Sequence, residues 1–400
     1  MTVTTDSLIK YFPPMGVYET LYKFLDHAGV YMGSEGTHPW AQGFPMTTPV
    51  PNGPEIPLTI DFSPMDLRYP PATGGPELLQ AICDYYIQHY GAQITPENVA
   101  VFAGGRPGIY AILAHLQEEV TVLIEETEYT PYYDVLQLLG RQHRLIPSHP
   151  GNRFAPDIED YRQARMDVSG PTLVVKSNPC NPTGITWTGD ALRGWVEFCN
   201  QTGHGGLIDE AYEFFHTPPV SAMAFIENID DTNLFVVSAA TKGLQVPGAR
   251  IGWVIAAKRH VEIFRNFSSI AMGGVSRLSQ RFVSQLLAPA RAAHARRAVS
   301  EYFGHQRTRY GQALDTLGFE LFTGEGGFYH WGRLPKGLTA DEFNLRLFDH
   351  RAAILPGTLC DMLRRGAESP LADFMRFSFG PLSPDSFEND ILILRAALAS

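Results

Sequence analysis

The 400-residue sequence predicts an α/β fold: a mainly parallel sheet of the seven-stranded type with helices on both faces, plus a smaller α+β domain. Two observations support this. Short runs that are apolar throughout alternate with helical patterns between residues 98 and 257, and the pattern changes to long helices after about residue 285. Strands without a polar side are buried on both faces, as in a parallel sheet covered by helices.

The elements follow one another in a regular order after an irregular beginning. Residues 30–76 are rich in glycine and proline, and a segment of this kind in a globular chain usually lines a site or a subunit contact. The helical pattern of residues 75–91 ends at Gly91, a typical helix stop. The predicted strands are NVAVFAG, VTVLIEE, PTLVVKSNP, GGLIDEAY, NLFVVSAA and IGWVIAA, with helices such as PYYDVLQLLGRQ and TGDALRGWVEFCNQTG between most of them.

The C-terminal third has a different pattern. It holds the long helical stretch RAAHARRAVSEYFGHQRTRYGQALDTLG, then FELFTGEGGFYHWGRL and the closing FMRFSFGPLSPDSFENDILILRAALAS. We therefore predict a large α/β domain over residues 58–285. A small α+β domain would combine residues 286–400 with the N-terminal segment 1–57.

Composition excludes several classes of function. The net charge of −11 argues against nucleic acid as the main partner. No apolar run approaches the roughly 18 residues that span a bilayer, and the N-terminus lacks the pattern of a secretory signal. The four cysteines are widely spaced and indicate reduced thiols, so we expect a cytoplasmic protein without a membrane partner. No motif of metal ligands was found, and no metal site is expected.

The residues that follow the predicted strands are the candidates for chemistry, because ligands of parallel sheets bind at the carboxyl ends of the strands. The glycines around Gly105 end a strand and open a helix, which suits either a phosphate cradle or simply a tight turn. In KSNPCNPTG, each proline keeps the preceding residue extended, so the amides of Asn178 and Asn181 can point into a cleft. The alternative is a proline-rich turn capped by asparagines.

Two charged residues sharpen the prediction. Asp209 directly follows a buried strand, where a carboxylate is costly unless it meets a cation such as a protonated heterocyclic nitrogen; the alternative is a helix N-cap. Lys242 follows the run NLFVVSAA, and a desolvated lysine has a lowered pKa and can form a Schiff base with an aldehyde. An amine, a carboxylate and phosphate donors are the partners expected for pyridoxal 5'-phosphate.

From about Ile60 to the C-terminus, the sequence resembles the class I/II aminotransferases of the fold-type I pyridoxal phosphate enzymes. The resemblance is carried by NPCNPTG, DEAY, the TK of Lys242 and PGARIGW, in the family's order and spacing. It implies that Lys242 forms the Schiff base and shuttles protons at the substrate Cα, with Asp209 keeping the ring nitrogen protonated. The other implied cofactor contacts are Asn181 and Tyr212 to the phenolic oxygen, Tyr129 stacked on the ring, and Gly105, Arg106 and Arg250 to the phosphate.

The resemblance also implies a substrate and a partner. Arg376, in MRFSFG, matches the arginine that binds the α-carboxylate of the substrate, with Asn181 beside it, so the substrate is an α-amino acid. Tyr69, in RYPPATG, matches the tyrosine that reaches the phosphate of the neighbouring subunit. A homodimer with shared active sites follows.

Some features depart from the usual pattern. The serine that commonly precedes the lysine by three residues is Ala239 here, and Arg106 occupies a position where smaller or amide residues are frequent. The segment GSEGTHPWAQGF is unusually long, and its Glu35, His38 and Trp40 are candidate substrate contacts or packing residues.

Several functions are therefore compared. The leading prediction is an amino acid aminotransferase. The alternative is a specialised biosynthetic enzyme that uses the same cofactor for elimination, replacement, cyclisation or oxidation, on S-adenosylmethionine or another large amino acid. A ligand-sensing module of a transcription regulator is disfavoured, because no DNA-binding domain precedes the fold. Arg106 and Arg277 are both candidates for a second arginine that binds an anionic group of the substrate.

Overall fold

The computed structural model describes residues 8, 11–335 and 337–400 and confirms the predicted α/β fold. Residues 1–7, 9, 10 and 336 lie outside the described part, and with them most of the first ten residues of the predicted small domain. Within the described residues the chain forms one seven-stranded and one four-stranded sheet, together with eleven α-helices.

The seven-stranded sheet contains all six predicted strands. Its strand order is β1-β7-β6-β5-β4-β2-β3, and β7 alone runs antiparallel to its neighbours. The sequence prediction missed β3, because its residues HRLI lie at the sheet edge and are only partly buried, so they form no apolar run. The strands are β1 Val99–Phe102, β2 Thr121–Glu125, β3 His143–Ile146, β4 Thr172–Ser177, β5 His204–Asp209, β6 Leu234–Ala239 and β7 Gly252–Ile255.

Helices cover both faces of this sheet. Along β1, Val99 and Val101 belong to one buried core and Ala100 and Phe102 to the other, so successive side chains are buried on opposite faces of the sheet. Burial of this kind stabilises the fold by about 25 cal/mol per Å² of apolar surface. The helices are α1 Gly16–Ala28, α2 Pro76–Tyr90, α3 Gly105–Ala114, α4 Pro131–Leu139, α5 Ile158–Met166, α6 Gly189–Cys199, α7 Lys258–Ala271, α8 Arg277–Leu286, α9 Pro289–Thr316, α10 Ala340–Asp349 and α11 Phe387–Ala399.

The smaller sheet is antiparallel, in the order β10-β11-β9-β8. Its strands are β8 Glu320–Leu321, β9 Tyr329–Arg333, β10 Leu355–Pro356 and β11 Phe374–Ser378. The N-terminal helix α1 packs against α10 and β10, and Phe24 shares a buried cluster with Trp331 and Phe374. This packing supports our proposal that residues 1–57 and 286–400 form one small domain beside the large domain 58–285.

The glycine- and proline-rich segment of residues 30–76 forms no long helix or strand, but residues 40–48 are packed firmly against the rest of the chain. Trp40 is fully buried against Phe377, and its carbonyl accepts a hydrogen bond from the Ser378 backbone. The Gln245 amide donates to the carbonyls of Met46 and Thr48, at 3.0 and 2.8 Å. These contacts hold residues 40–48 across the mouth of the large sheet.

Two further observations concern the chain as a whole. All four cysteines are buried, and none takes part in a disulfide. Among the described residues, no helix combines the length and the apolar character needed to cross a membrane.

Candidate active site

A cavity of about 210 Å³ lies at the carboxyl ends of the central strands, between the two sheets. Every cofactor or substrate contact that the family resemblance implies lines this cavity, except Tyr69. They come from distant parts of the chain: Gly105, Arg106, Tyr129, Asn181, Asp209, Tyr212, Lys242, Arg250 and Arg376. The parallel strands cause this convergence, because their carboxyl ends lie along one edge of the sheet.

Lys242 lies three residues beyond β6, with its side chain half-buried. Its ammonium donates a hydrogen bond to the carbonyl of Gly43 and lies 5.7 Å from the centre of the Tyr212 ring. Burial, followed by the charges of Arg376 and Arg106, lowers the pKa of Lys242 to about 7. A nucleophilic neutral amine is therefore abundant near neutral pH.

Asp209 is the last residue of β5 and is 8% exposed. One carboxylate oxygen accepts a hydrogen bond of 2.8 Å from the Tyr132 hydroxyl, and the other accepts one of 2.9 Å from the Ala211 backbone. Burial raises the pKa of Asp209, against the opposing effect of these two donors. A cation in the cavity would offset this desolvation.

The turn between β1 and α3 allows the Arg250 side chain to lie close to the backbone. Gly104 has φ +102°, and a Cβ at this position would overlap the guanidinium of Arg250. Arg250 donates to the carbonyls of Ala103 and Pro247, each at 3.0 Å, which fixes its guanidinium beside the first turn of α3. The unpaired backbone N–H groups of that turn and this guanidinium form a cradle for an anion.

The departure at Ala239 has a structural counterpart. Ala239 lines the cavity, as does Thr241, two residues further along the chain. Ser238 points away, because its hydroxyl donates to the Glu210 carbonyl at 3.4 Å. Thr241 is thus the hydroxyl between β6 and Lys242 that can reach a ligand in the cavity.

Arg376 lies on β11, is 5% exposed, and reaches the cavity from the smaller sheet. Its guanidinium donates to the side-chain oxygen of Asn181 at 2.9 Å and to the carbonyl of Ala41 at 2.7 Å. It also lies over the Tyr329 ring, 4.3 Å from the ring centre. Two of its donors can face a carboxylate in the planar arrangement that arginine favours.

The two asparagines of NPCNP have different roles. Asn181 faces the cavity, as predicted. Asn178 faces away, because its side chain exchanges two hydrogen bonds with the backbone of Trp187, at 3.0 and 2.7 Å. The prediction that both amides point into the cleft is therefore wrong for Asn178, which instead fixes the turn.

Aromatic residues form the remaining walls. The Tyr212 hydroxyl is hydrogen-bonded to that of Tyr329. The half-buried Tyr129 stands edge-on to Tyr132, with ring centres 5.2 Å apart. Arg106, at the start of α3, is exposed and contacts the sulfur of Met15 at 3.9 Å.

Sequence reasoning missed several lining residues: Gly43, Glu128, Tyr132, Ser177, Thr130, Met15, Val17, Leu355 and Cys360. Gly43 carried a usable signal, since it belongs to the glycine-rich segment that was expected to line a site. A Cβ there would lie 2.5 Å from the Tyr329 hydroxyl.

Other candidates lie elsewhere. His38 bonds to Asp390 at 2.8 Å and Trp40 is buried, so neither lines the cavity, and nor does Glu35. Tyr69 is 88% exposed, and its carbonyl accepts hydrogen bonds from Arg277, which is thereby also placed outside the cavity.

The cavity fits pyridoxal phosphate on its chemistry. It joins a lysine of lowered pKa, a buried carboxylate in need of a cation, and an anion cradle that a side chain at Gly104 would fill. The three groups belong to separate strand ends of one sheet, and they match the aldehyde, ring nitrogen and phosphate of the cofactor.

Comparison with known proteins agrees with this chemistry. A probable aspartate/prephenate aminotransferase of Thermus aquaticus is 26% identical over 294 residues, which are 73% of this chain and 76% of that protein. An LL-diaminopimelate aminotransferase of Dehalococcoides mccartyi is 25% identical over 303 residues, 74% of this chain and 76% of that protein. The solved aspartate aminotransferase of Thermus thermophilus with maleate shares the fold, with a TM-score of 0.78, 20% identity and coverage of 96% and 97%.

The family model for aminotransferase class I and II matches residues 53–386. This range contains both sheets in full and every residue that the resemblance assigns to the site. The alternative chemistries on the same cofactor are not favoured, since the relatives carry the names of aminotransferases. The chain belongs to the class I and II aminotransferase family and is a pyridoxal phosphate-dependent transferase.

Proposed function

We propose that this aminotransferase moves the amino group of an α-amino acid to a 2-oxo acid, with pyridoxal phosphate attached to Lys242. The observation that carries the proposal is the meeting of Lys242, Asp209 and Arg376 on one cavity of about 210 Å³. The first would attach the cofactor, the second would hold its ring and the third would hold the substrate.

The residues that would hold the cofactor divide by chemical group. The first turn of α3, with Gly105 and Arg106, would bind the phosphate together with Arg250 and Thr241. Asp209 would keep the ring nitrogen protonated, and Tyr129 would cover the ring. Asn181 and Tyr212 would donate to the phenolic oxygen. When bound, pyridoxal phosphate supplies an aldehyde for the amine and a ring that accepts the electron pair left at the substrate Cα.

Lys242 would then act as the base and acid at Cα. Its amine removes the Cα proton and later returns a proton, a task that requires a pKa near the working pH. Burial, and after it the neighbouring cations Arg376 and Arg106, lower its pKa to about 7.

Arg376 would fix the substrate by its α-carboxylate. Two nitrogens of its guanidinium are now bonded to Asn181 and to the Ala41 carbonyl. A bidentate carboxylate would replace the Ala41 contact and would set Cα near Lys242. The relatives' names differ in their substrates, aspartate or prephenate in one and LL-diaminopimelate in another. The α-amino acid group is what this arginine can recognise.

We further propose a homodimer with shared sites. Five large apolar or aromatic side chains are exposed within a short stretch that leads to Tyr69: Leu58, Phe62, Met65, Leu67 and Tyr69. Exposed apolar patches of this kind mark protein interfaces. Tyr69 is exposed and does not line its own subunit's cavity, so its proposed role at the phosphate calls for a second copy.

The main test uses the purified chain loaded with pyridoxal phosphate. Borohydride reduction followed by peptide mass analysis is expected to place the cofactor on Lys242. Amino donors with a 2-oxo acid acceptor are expected to give the new amino acid, identified by mass. A reduced adduct elsewhere, or the absence of amino transfer over a full donor panel, would contradict the proposal.

The dimer is tested by complementation. Tyr69→Ala and Lys242→Ala subunits are each expected to be nearly inactive when alone. Co-expressed subunits that mix at random are half heterodimers with one intact site each, so about a quarter of the wild-type activity is expected. No recovery, or a monomer in light scattering, would exclude shared sites.

A further inference from the structure

Glu128 is a fully buried carboxyl group that lines the same cavity, and none of the steps above uses it. It lies three residues beyond the end of β2 and immediately precedes Tyr129 in the sequence. Burying a carboxylate is costly unless strong donors surround it. The donors that surround Glu128 indicate what it does.

Four groups donate to the two oxygens of Glu128, one of them the Cys180 thiol, whose sulfur lies 3.7 Å from Oε1. Oε1 accepts from the Tyr129 backbone at 2.8 Å and from the Ser177 hydroxyl. Oε2 accepts from the Ser177 backbone at 3.0 Å. Because a backbone N–H faces each oxygen, both oxygens must be acceptors. A carboxylate meets this requirement, whereas an amide would turn an NH₂ toward one of the donors.

Ser177 extends this contact toward the substrate site. Its hydroxyl oxygen accepts a hydrogen bond of 3.1 Å from the Asn181 backbone. The Asn181 side chain in turn accepts from Arg376 at 2.9 Å. A continuous line of contacts thus leads from Glu128 to the guanidinium of Arg376.

Arg376 depends on this line for its orientation. Its side chain is buried, and its Nε has no partner among the described residues. Besides Asn181, the Ala41 carbonyl is its hydrogen-bond partner. A substrate carboxylate bound to Arg376 would take the place of that carbonyl. Once substrate binds, Asn181 remains as the side chain that orients the guanidinium.

Lys176, the buried cation near Glu128, has hydrogen-bond partners of its own. Lys176 donates to Glu125 at 2.5 Å and to the Tyr161 hydroxyl at 3.3 Å. Glu125, Glu128 and Cys180 offer ligand atoms within 4.8 Å of one another, but the Lys176 ammonium supplies the cation for this cluster. Apart from the long contact with the Cys180 thiol, the hydrogen bonds of Glu128 lead away from the cluster, to Ser177 and to the Tyr129 backbone.

We propose that Glu128 is a positioning residue: through Ser177 and Asn181, it holds Arg376 in the orientation that binds the substrate α-carboxylate. This inference rests on the proposed role of Arg376. It predicts that a change at Glu128 weakens recognition of the carboxylate more than it slows the chemistry at Cα.

The test compares Glu128→Gln and Ser177→Ala with the control Tyr161→Phe, which lies in the neighbouring buried cluster but outside the line to Arg376. The substrates are the best amino donor of the wild type and the corresponding amine, which lacks the carboxylate. For Glu128→Gln and Ser177→Ala, we expect KM for the amino acid to rise about tenfold, with kcat changed much less. Turnover of the amine is expected to stay at the wild-type level.

The preference for amino acid over amine should therefore fall in both test variants and stay unchanged in Tyr161→Phe. If Glu128→Gln does not fold, Ser177→Ala decides, because it removes only the connecting hydroxyl. Equal losses for amino acid and amine, or an unchanged KM, would overturn the inference. Arg376→Lys separates the two proposals: if it also leaves the preference unchanged, the proposed role of Arg376 is wrong.

Discussion

Lys242 and Lys176 both stand near the carboxyl edge of the large sheet, yet the protein shifts their pKa values in opposite directions. Burial lowers the pKa of Lys176, but the charge and hydrogen bond of Glu125 outweigh burial, and the net pKa is raised. At Lys242, burial acts together with Arg376 and Arg106, and the pKa falls to about 7. The neighbouring charges therefore decide whether a desolvated lysine is a structural cation or a nucleophile.

The largest expected effect is the loss of Lys242. Lys242→Ala should lower kcat by about 10⁴-fold or more, since it removes both the cofactor attachment and the proton carrier at Cα. Steady-state transamination measures this. The matched control is Lys176→Met, which should keep kcat within a few-fold of the wild type. A comparable loss of kcat in both variants would remove the distinction between the two lysines.

Lys176 should reveal its role in stability instead. Lys176→Met leaves Glu125 buried without its cation, which should reduce the free energy of unfolding by about 3–5 kcal/mol. The double variant Lys176→Met/Glu125→Gln should recover part of this loss, because residue 125 is then no longer a buried charge without its cation. Denaturant unfolding of the cofactor-free protein provides the measurement. An unchanged midpoint in Lys176→Met would show that the buried pair contributes little.

The pH dependence of cofactor uptake examines Lys242 directly. The neutral amine is the nucleophile and the ammonium forms below the pKa, so the uptake rate should rise with pH and level off above about 7. Stopped-flow absorbance with pyridoxal phosphate follows this step. Arg376→Met removes a positive charge that lowers this pKa, so its midpoint should move to higher pH. A midpoint that stays in place or moves down would contradict the assigned cause.

The smallest expected effect concerns the phosphate cradle. Thr241→Ala should weaken pyridoxal phosphate binding about tenfold, the lower end of the effect of one hydrogen bond to a charged group. Ser238→Ala is the control, because the Ser238 hydroxyl is committed to the Glu210 carbonyl. Equilibrium titration of the cofactor-free protein distinguishes the two. Equal weakening in both variants would mean that Thr241 does not reach the phosphate.

Much of the site was predictable because it lies at strand ends. Asp209, Asn181 and Lys242 follow apolar runs, and the geometry of a parallel sheet brings such positions together wherever the chain connects them. The same reasoning failed for Asn178, since the sequence pattern does not show which of two neighbouring amides faces the backbone of Trp187. It also missed Tyr132, which lies on α4, the helix after β2, and whose hydroxyl donates to Asp209 at the end of β5.

The sequence by itself determined the fold class, six of the seven strands, and the candidate positions of the amine, the carboxylate and the anion-binding turn, because these depend on local apolar runs and on glycines that permit special backbone geometry. The tertiary structure alone decided the charges around each lysine, the carbonyls of Ala41 and Gly43 at the site, and the line from Glu128 to Arg376. Most of those contacts join residues more than 40 positions apart, so packing rather than local pattern sets the distances that control pKa and orientation.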